Sequence, residues 1–260
     1  MSVGTVYLVG AGPGDPKLIT IHGLECIQKA DVILYDRLVS EELLKHAKEG
    51  AELIFCGKLP GKHGKIQDDI HRTLVEKAEQ GKTVTRLKGG DPFIFGRGGE
   101  EAEVLAKRDI PFEIIPGITS GIAAPAYAGI PVTYKDKATS FAIVTGHGRE
   151  EKGQDTLNWE ALAKGIDTIA FYMGVGNLPH IVHKLTEHGR SKETPVAIIH
   201  KGTTQEQRTV IGTLATIEEM AKVENVKHPS MIIVGDVVDI REKVHWFNEK
   251  GEKTTYDNTI

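Results

Sequence analysis

Short β-branched runs alternate with longer amphipathic ones through the first half of this chain, and that alternation restricts the fold more than any other feature. Residues 5–9, 32–35, 52–55, 83–87 and 112–115 read as strands, too short for helices and rich in Val, Ile and aromatic side chains. Between them the period lengthens. Over residues 66–80, Ile66, Ile70, Leu74, Val75 and Ala78 fall on one helical face and Gln67, Asp68, Arg72, Glu76 and Lys77 on the other, until Gly81 ends the run. Ser40 is placed to cap another helix, with Glu41 and Glu42 at its positive end. Strands joined through helices pair in parallel by right-handed crossovers, so an α/β domain follows. A polar stretch at residues 131–137, after a small-residue helix over 120–129, reads as a linker. Beyond it, strands are expected at 140–145, 168–173, 196–200, 208–211 and 231–234, and helices at 177–187 and 216–223. The expected architecture is two α/β domains, 1–133 and 137–240, with mostly parallel five-stranded sheets and a ligand cleft between them. Residues 241–260 read as a flexible tail.

Length and charge exclude several classes of protein. At 260 residues the chain is long enough for two cores. A formal net charge of −4 leaves no broad cationic field for a nucleic-acid backbone, so no nucleic-acid partner is expected. Cys26 and Cys56 lack CxxC spacing and read as small hydrophobes. With an N-terminus that has no basic segment before an apolar one, they point to the cytoplasm. No apolar run approaches the ~18 residues of a membrane span, so no membrane partner is expected.

Two glycine-rich turns follow strands of the first half: Gly10-Ala11-Gly12-Pro13-Gly14-Asp15 and the longer Gly89-Gly90-Asp91-Pro92-Phe93-Ile94-Phe95-Gly96-Arg97-Gly98-Gly99. Glycine lets backbone approach a ligand where a side chain would collide, and ligands of open α/β sheets gather at strand ends. A dinucleotide fingerprint needs a third glycine where Asp15 stands, and Pro13 lacks an N–H for a pyrophosphate. Neither turn continues as Gly-Lys-Ser or Gly-Lys-Thr, so the ligand is read as nucleoside-like without a polyphosphate. Gly146-His147-Gly148, Gly174-Val175-Gly176 and Lys201-Gly202-Thr203-Thr204 repeat the pattern after strands of the second half.

Other residues admit two readings each. Asp15 and Asp91 are either local caps and Asx-turns or, for Asp91, an acceptor for a ligand amine or ribose. Phe93-Ile94-Phe95 is core or ligand wall. Arg97 either neutralises Glu100 or Glu101 on its own helix or reaches out as a fork for a carboxylate. The basic stretch from Lys58 to Lys65 either holds a polyanionic small molecule or is a mobile loop. His180 and His183 form the best metal pair by spacing, with a solvated helix face as the simpler reading, and no metal is expected. No Gly-x-Ser-x-Gly elbow is present.

The segments Val6-Tyr7-Leu8-Val9-Gly10-Ala11-Gly12-Pro13-Gly14-Asp15-Pro16, Leu87 to Glu101, Pro116-Gly117-Ile118-Thr119-Ser120 and Tyr172-Met173-Gly174, in this order and spacing, resemble the tetrapyrrole methylase family of S-adenosylmethionine-dependent methyltransferases. The resemblance extends over residues 3–239 and is strongest to members acting on uroporphyrinogen III. It implies two α/β domains, S-adenosylmethionine as methyl donor with S-adenosylhomocysteine as product, a tetrapyrrole substrate and a homodimer. By matching position it assigns Pro13, Gly89, Gly90, Asp91, Thr119, Ser120, Met173, Gly202 and Ser230 to the donor. It assigns Phe95, Tyr172 and Lys135 to the substrate, and Asp36, Arg97 and Glu100 to the catalytic set. The implied reaction methylates C-2 and C-7 of uroporphyrinogen III, giving precorrin-2 by way of precorrin-1. A carboxylate, from Asp36, Glu100 or the substrate, would steady the cationic ring or take its proton. Arg97, protonated under almost all conditions, is expected to anchor substrate carboxylates.

Overall fold

A computed structural model describes residues 2–57, 66–146 and 156–249, and the chain divides into two compact units, Met1–Thr119 and Ser120–Ile260. The first unit carries strands β1 (Val6–Gly10), β2 (Val32–Tyr35), β3 (Glu52–Phe55), β4 (Val84–Lys88) and β5 (Phe112–Ile115). Its helices are α1 (Ile21–Lys29), α2 (Glu41–Leu44), α3 (Ile66–Glu79) and α4 (Gly98–Ala106). The strands pair entirely in parallel in the order β3-β2-β4-β1-β5. Strand alternation sends Val6, Leu8, Val32, Leu34 and Val84 toward α3 and α4, and Val9, Ile33 and Leu87 toward α1 and α2, so both faces are covered. Thr20 caps α1 by accepting the Gly23 N–H at 3.0 Å. Ser40 stands before α2, but its side chain makes no capping bond.

The second unit contains α5 (Ser120–Tyr127), β6 (Phe141–Thr145), α6 (Trp159–Gly165), β7 (Thr168–Tyr172), α7 (Leu178–Glu187), β8 (Pro195–His200), β9 (Arg208–Thr213), α8 (Ile217–Val223), β10 (Ser230–Val234) and α9 (Arg241–Val244). Its sheet runs β6-β7-β10-β8-β9. Only β6 and β7 pair in parallel here; β10 is antiparallel to both β7 and β8, and β9 to β8, so the parallel character expected of both sheets belongs to the first. Residues 201–207 are too few for a crossover, which forces β8 and β9 into a hairpin.

Two boundaries differ from the sequence reading. The division falls before α5, not at residues 131–137, because Ala124 of that helix and Ala128 just after it bury against Ala170, Ala197 and Ile233 of the second sheet. Small side chains there let helix and sheet approach closely. The expected linker is a turn within the second unit, closed by a bridge between Tyr134 and Ala138. Residues 241–249 are not a free tail either. Arg241 Nη1 donates to the Ala128 carbonyl at 2.6 Å, Trp246 Nε1 to the Ala126 carbonyl at 3.0 Å, and the Trp246 and Phe247 rings each lie 5.0 Å from Tyr127. Residues 250–260 lie outside the described residues.

Cys26 and Cys56 are free, and burial pushes both thiols up. Among the described residues, no helix is long and apolar enough to cross a membrane.

An aspartate before a strand clamps the start of its neighbour in each unit. Asp31 accepts the Thr83 N–H at 2.7 Å. Asp167 accepts the backbone N–H groups of Thr139 at 2.8 Å and Ser140 at 3.0 Å, and the Ser140 hydroxyl at 2.9 Å. The Thr139 N–H, then the Ser140 hydroxyl and N–H, hold the Asp167 carboxyl below its ordinary value. A carboxyl lowered on folding contributes stability above its unfolded pKa and loses it as pH falls through the folded value. Replacing Asp167 by Asn therefore lowers the thermal midpoint at neutral pH, by a margin that shrinks below about pH 4. Melting curves across pH test this; a margin constant from neutral to acid contradicts it.

Candidate functional site

In the first sheet, β1 and β4 are neighbours whose following segments leave in opposite directions, one through α1 toward β2 and the other through α4 toward β5. Such a divergence opens the carboxyl edge of a parallel sheet to a ligand. Here both glycine turns meet. Gly12 and Gly90 exchange backbone hydrogen bonds, Gly12 N to Gly90 O at 3.1 Å and Gly90 N to Gly12 O at 2.7 Å. Gly117, after β5, closes on them: a Cβ on Gly10 would stand 2.6 Å from the Gly117 Cα and 2.7 Å from the Gly90 oxygen. Asp91 ties the arrangement together. Its Oδ1 accepts the Phe93 N–H at 2.8 Å and its Oδ2 the Gly117 N–H at 3.0 Å. It is thus an Asx-turn and a brace between loops, with lone pairs left on each oxygen. Asp15 caps the short 3₁₀ turn 16–18 by accepting the Lys17 N–H at 2.9 Å, as the simpler reading had it. Pro13 and Gly89 are half-buried on this edge, and Thr119 is buried.

The loop after β4 is held in a conformation that side chains rarely adopt. Phe95 and Arg97 take left-handed backbone, φ 52° and 59°, and a Cβ on Gly96 or Gly98 would meet the Pro92 oxygen at 2.6 or 2.5 Å. Phe93 and Phe95 are 56% and 45% exposed, so this run is not core. Arg97 engages Glu100 in a fork, Nε to Oε1 at 2.9 Å and Nη2 to Oε2 at 2.5 Å, with both side chains about half exposed. Its same-helix reading is the one realised, and the Glu100 hydrogen bonds hold the guanidinium still further from deprotonation.

Glu101, the other candidate partner, points elsewhere. Alternation along β4 turns Arg86 and Lys88 to the face covered by α4, where Glu101 is fully buried. Glu101 Oε1 receives Lys88 Nζ at 2.9 Å and Arg86 Nε at 3.2 Å, while Arg86 Nη2 reaches Asp36 Oδ1 at 2.6 Å. Glu101 Oε2 has no partner among the described residues. Burial disfavours charge on both cations. For Arg86 the carboxylates of Glu101 and Asp36 outweigh it and raise the pKa, whereas for Lys88 burial and the Arg86 charge prevail and lower it. Asp36, which follows β2 on the same sheet edge, is therefore fixed from beneath. Sequence reasoning missed Arg86, Lys88 and Glu101 as a group. Two cations two residues apart in an apolar strand were the available signal, since buried charges require partners.

The second sheet gathers its candidates on one edge as well. β6, β7 and β8 end there and the antiparallel β10 begins there, which brings Gly146, Met173, Gly202 and Ser230 to that edge. Met173 is 46% exposed with φ 56°. A Cβ on Gly146 would meet the Gly174 Cα at 2.3 Å, so these turns also pack backbone on backbone. Ser230 donates its hydroxyl to the Lys227 carbonyl at 2.6 Å and accepts from His200 Nδ1 at 3.1 Å. The Tyr172 hydroxyl accepts the Gly121 N–H at 2.5 Å, tying β7 to the start of α5 beside Ser120. Lys135 is exposed on the 134–138 turn. His180 lies edge-on to Trp159 and His183 beside Glu187. His147, Gly148 and the basic stretch 58–65 lie outside the described residues.

The donor set of these edges fits a particular ligand chemistry. Turns 10–15, 89–91, 116–120 and 173–176 offer backbone groups, two carboxylates, hydroxyls and a thioether and contain no lysine or arginine; turn 201–204 adds Lys201, which is paired with Glu206. They suit a nucleoside that carries a cation and oppose a diphosphate.

The profile of the Tetrapyrrole (Corrin/Porphyrin) Methylases matches residues 5–218. The chain is 60% identical over 237 residues to the uroporphyrinogen-III C-methyltransferase of Priestia megaterium, covering 91% of this chain and 99% of that one. Among solved structures, uroporphyrin-III C-methyl transferase of Thermus thermophilus, complexed with S-adenosylhomocysteine, superposes with a TM-score of 0.76 at 38% identity, covering 91% of this chain and all of the other. A cobalt precorrin-4 methyltransferase gives a TM-score of 0.80 at 31% identity, over 90% of this chain and 96% of its own. The chain belongs to the tetrapyrrole (corrin/porphyrin) methylases.

Proposed function

We propose that this chain transfers methyl groups from S-adenosylmethionine to C-2 and C-7 of uroporphyrinogen III, passing through precorrin-1 to precorrin-2, as a cytoplasmic homodimer serving sirohaem and cobalamin synthesis. The observation that carries the reading is the near full-length, 60% identical relative named for that reaction. A corrin methylase superposes at least as well, so the backbone alone does not separate the two substrates; sequence identity favours uroporphyrinogen III.

The two sheet edges supply the groups for the donor. Pro13, Gly89, Gly90, Asp91 and Thr119 hold it from the first unit, and Ser120, Met173, Gly202 and Ser230 from the second. Bound S-adenosylmethionine supplies an electrophilic methyl group to an electron-rich pyrrole carbon. The chain's own task is alignment of the reactants with water excluded. Phe95 and Tyr172 offer ring faces to the macrocycle, and Lys135 grips one of its carboxylates. Asp36, steadied by Arg86, takes the proton that the methylated ring must lose, while Glu100 stabilises the cation beforehand. Arg97 anchors a substrate carboxylate by exchanging its Glu100 fork for an equivalent one. With its guanidinium raised by Glu100, it is not the base.

Incubation with S-adenosylmethionine labelled with carbon-13 in its methyl group, and uroporphyrinogen III, gives a product whose NMR spectrum shows two new methyl groups, at C-2 and C-7. Methylation only of a more advanced corrin would overturn the substrate. Replacing Arg97 by Ala raises KM for the tetrapyrrole about 10- to 100-fold, the loss of a charge-assisted bond, and leaves donor affinity unchanged. A fall in kcat at unchanged KM would instead make it a proton acceptor. Replacing Gly10 by Ala, whose methyl collides with backbone at Gly117 and Gly90, weakens S-adenosylhomocysteine binding at least about tenfold by calorimetry. Unaltered affinity would place the donor elsewhere.

A further inference from the structure

The segment after α9 carries a buried glutamate, Glu249, whose partners lead to the turn between β8 and β9. Glu249 is 5% exposed. Its Oε1 accepts from Gln207 Nε2 at 2.9 Å and from the Thr209 hydroxyl at 2.5 Å, its Oε2 accepts the Thr209 N–H at 2.7 Å, and Arg241 Nη1 stands 3.4 Å from Oε1. Gln207 is fully buried and passes the connection on: its Oε1 accepts the Thr203 N–H at 2.7 Å.

That turn needs external support. Lys201 and Thr203 both take left-handed backbone, φ 46° and 70°, unfavourable for a lysine and more so for a β-branched threonine. Between them, Gly202 is backed so closely against α5 that a Cβ would meet the Ala124 Cβ at 2.5 Å. Lys201 N donates to the Pro229 carbonyl at 3.0 Å, next to Ser230. The turn is thus blocked by α5 on one side and tied through Gln207 to Glu249. Glu249 is held through Arg241 to the Ala128 carbonyl at the end of that same helix.

We infer that Glu249 and Gln207 are positioning residues for the methyl donor: the C-terminal segment locks the strained 201–204 backbone into the shape that the donor meets. The inference rests on Gly202 being a donor contact, as proposed above. Without the Gln207 acceptor the Thr203 N–H loses a buried hydrogen bond, the left-handed residues relax toward ordinary backbone, and Gly202 shifts.

The full chain and its E249A, E249Q and Q207A variants are titrated calorimetrically with S-adenosylhomocysteine, below the thermal midpoint of each. Backbone hydrogen exchange over 201–204 is followed with and without S-adenosylhomocysteine. The expected result is protection of 201–204 in the unaltered chain and a loss of affinity of about tenfold in E249A and Q207A. E249Q, which keeps one acceptor, loses about threefold, and KM for the tetrapyrrole is unchanged in all three. Lower thermal midpoints with unchanged affinity would reduce Glu249 and Gln207 to a structural tie and overturn the inference. If E249A and Q207A fail to fold, unchanged affinity in E249Q overturns it alone. Binding without protection at 201–204 would instead remove Gly202 as a contact and with it the reading on which the inference rests.

Discussion

At the carboxyl edge of the first sheet Gly10, Gly90 and Gly117 approach so closely that one methyl group has no room. Three strand ends therefore meet through backbone, and their N–H and C=O groups line the edge in place of side chains. Asp91 makes this contact durable by bracing two of the loops from its two oxygens. The consequence is chemical as well as geometric. An edge of peptide groups and carboxylates, with no cation in segments 10–15, 89–91 and 116–119, is ill suited to a diphosphate and matches the charge of an adenosyl group carrying a sulfonium. The second sheet repeats the device at Gly146 and Gly174.

Beneath that edge lies a second constraint of opposite character. Arg86, Lys88, Glu101 and Asp36 place two cations and two anions at and under the ends of β2 and β4, three of the four almost fully buried. Removing one partner from such a set typically costs about 3–5 kcal/mol, because the others are left charged and unsolvated. A well-packed apolar group would stabilise the sheet as well, so stability alone does not account for the cluster. What it provides is direction: one oxygen of Asp36 is fixed by Arg86, and the carboxylate stays partly exposed at the end of β2.

Much of this was legible before any coordinates. The short β-branched and aromatic runs of the first half located all five strands within a residue, because strands of a parallel sheet are short and mostly apolar. The glycine turns were legible because glycine has few other reasons to cluster after a strand. The second sheet was read less well, since strand sequences carry their period but not their direction, and β10 enters antiparallel for reasons that lie in its neighbours. The domain boundary was misplaced because α5, built mostly of small residues, has no strong polar face to show which core it joins. The ordered segment 241–249 was hidden by its mostly polar composition; Val244, Trp246 and Phe247 were its apolar signal, and the buried roles of Glu249 and Arg241 depend on partners far away in sequence. Arg97 and Glu101 show the same limit. Helical spacing offered Arg97 two glutamates, and only the alternation of β4 decides which of them turns inward.

The central claim is that peptide groups at the two sheet edges, rather than a cationic phosphate loop, receive the methyl donor. The crystal structure of the S-adenosylhomocysteine complex tests it most directly. The account predicts the adenosyl and homocysteine groups against the backbone of 89–91, Met173 and Gly202, with Asp91 still bonded to Gly117. Density for the ligand away from those turns, or a ligand held chiefly by lysine and arginine side chains, would contradict it.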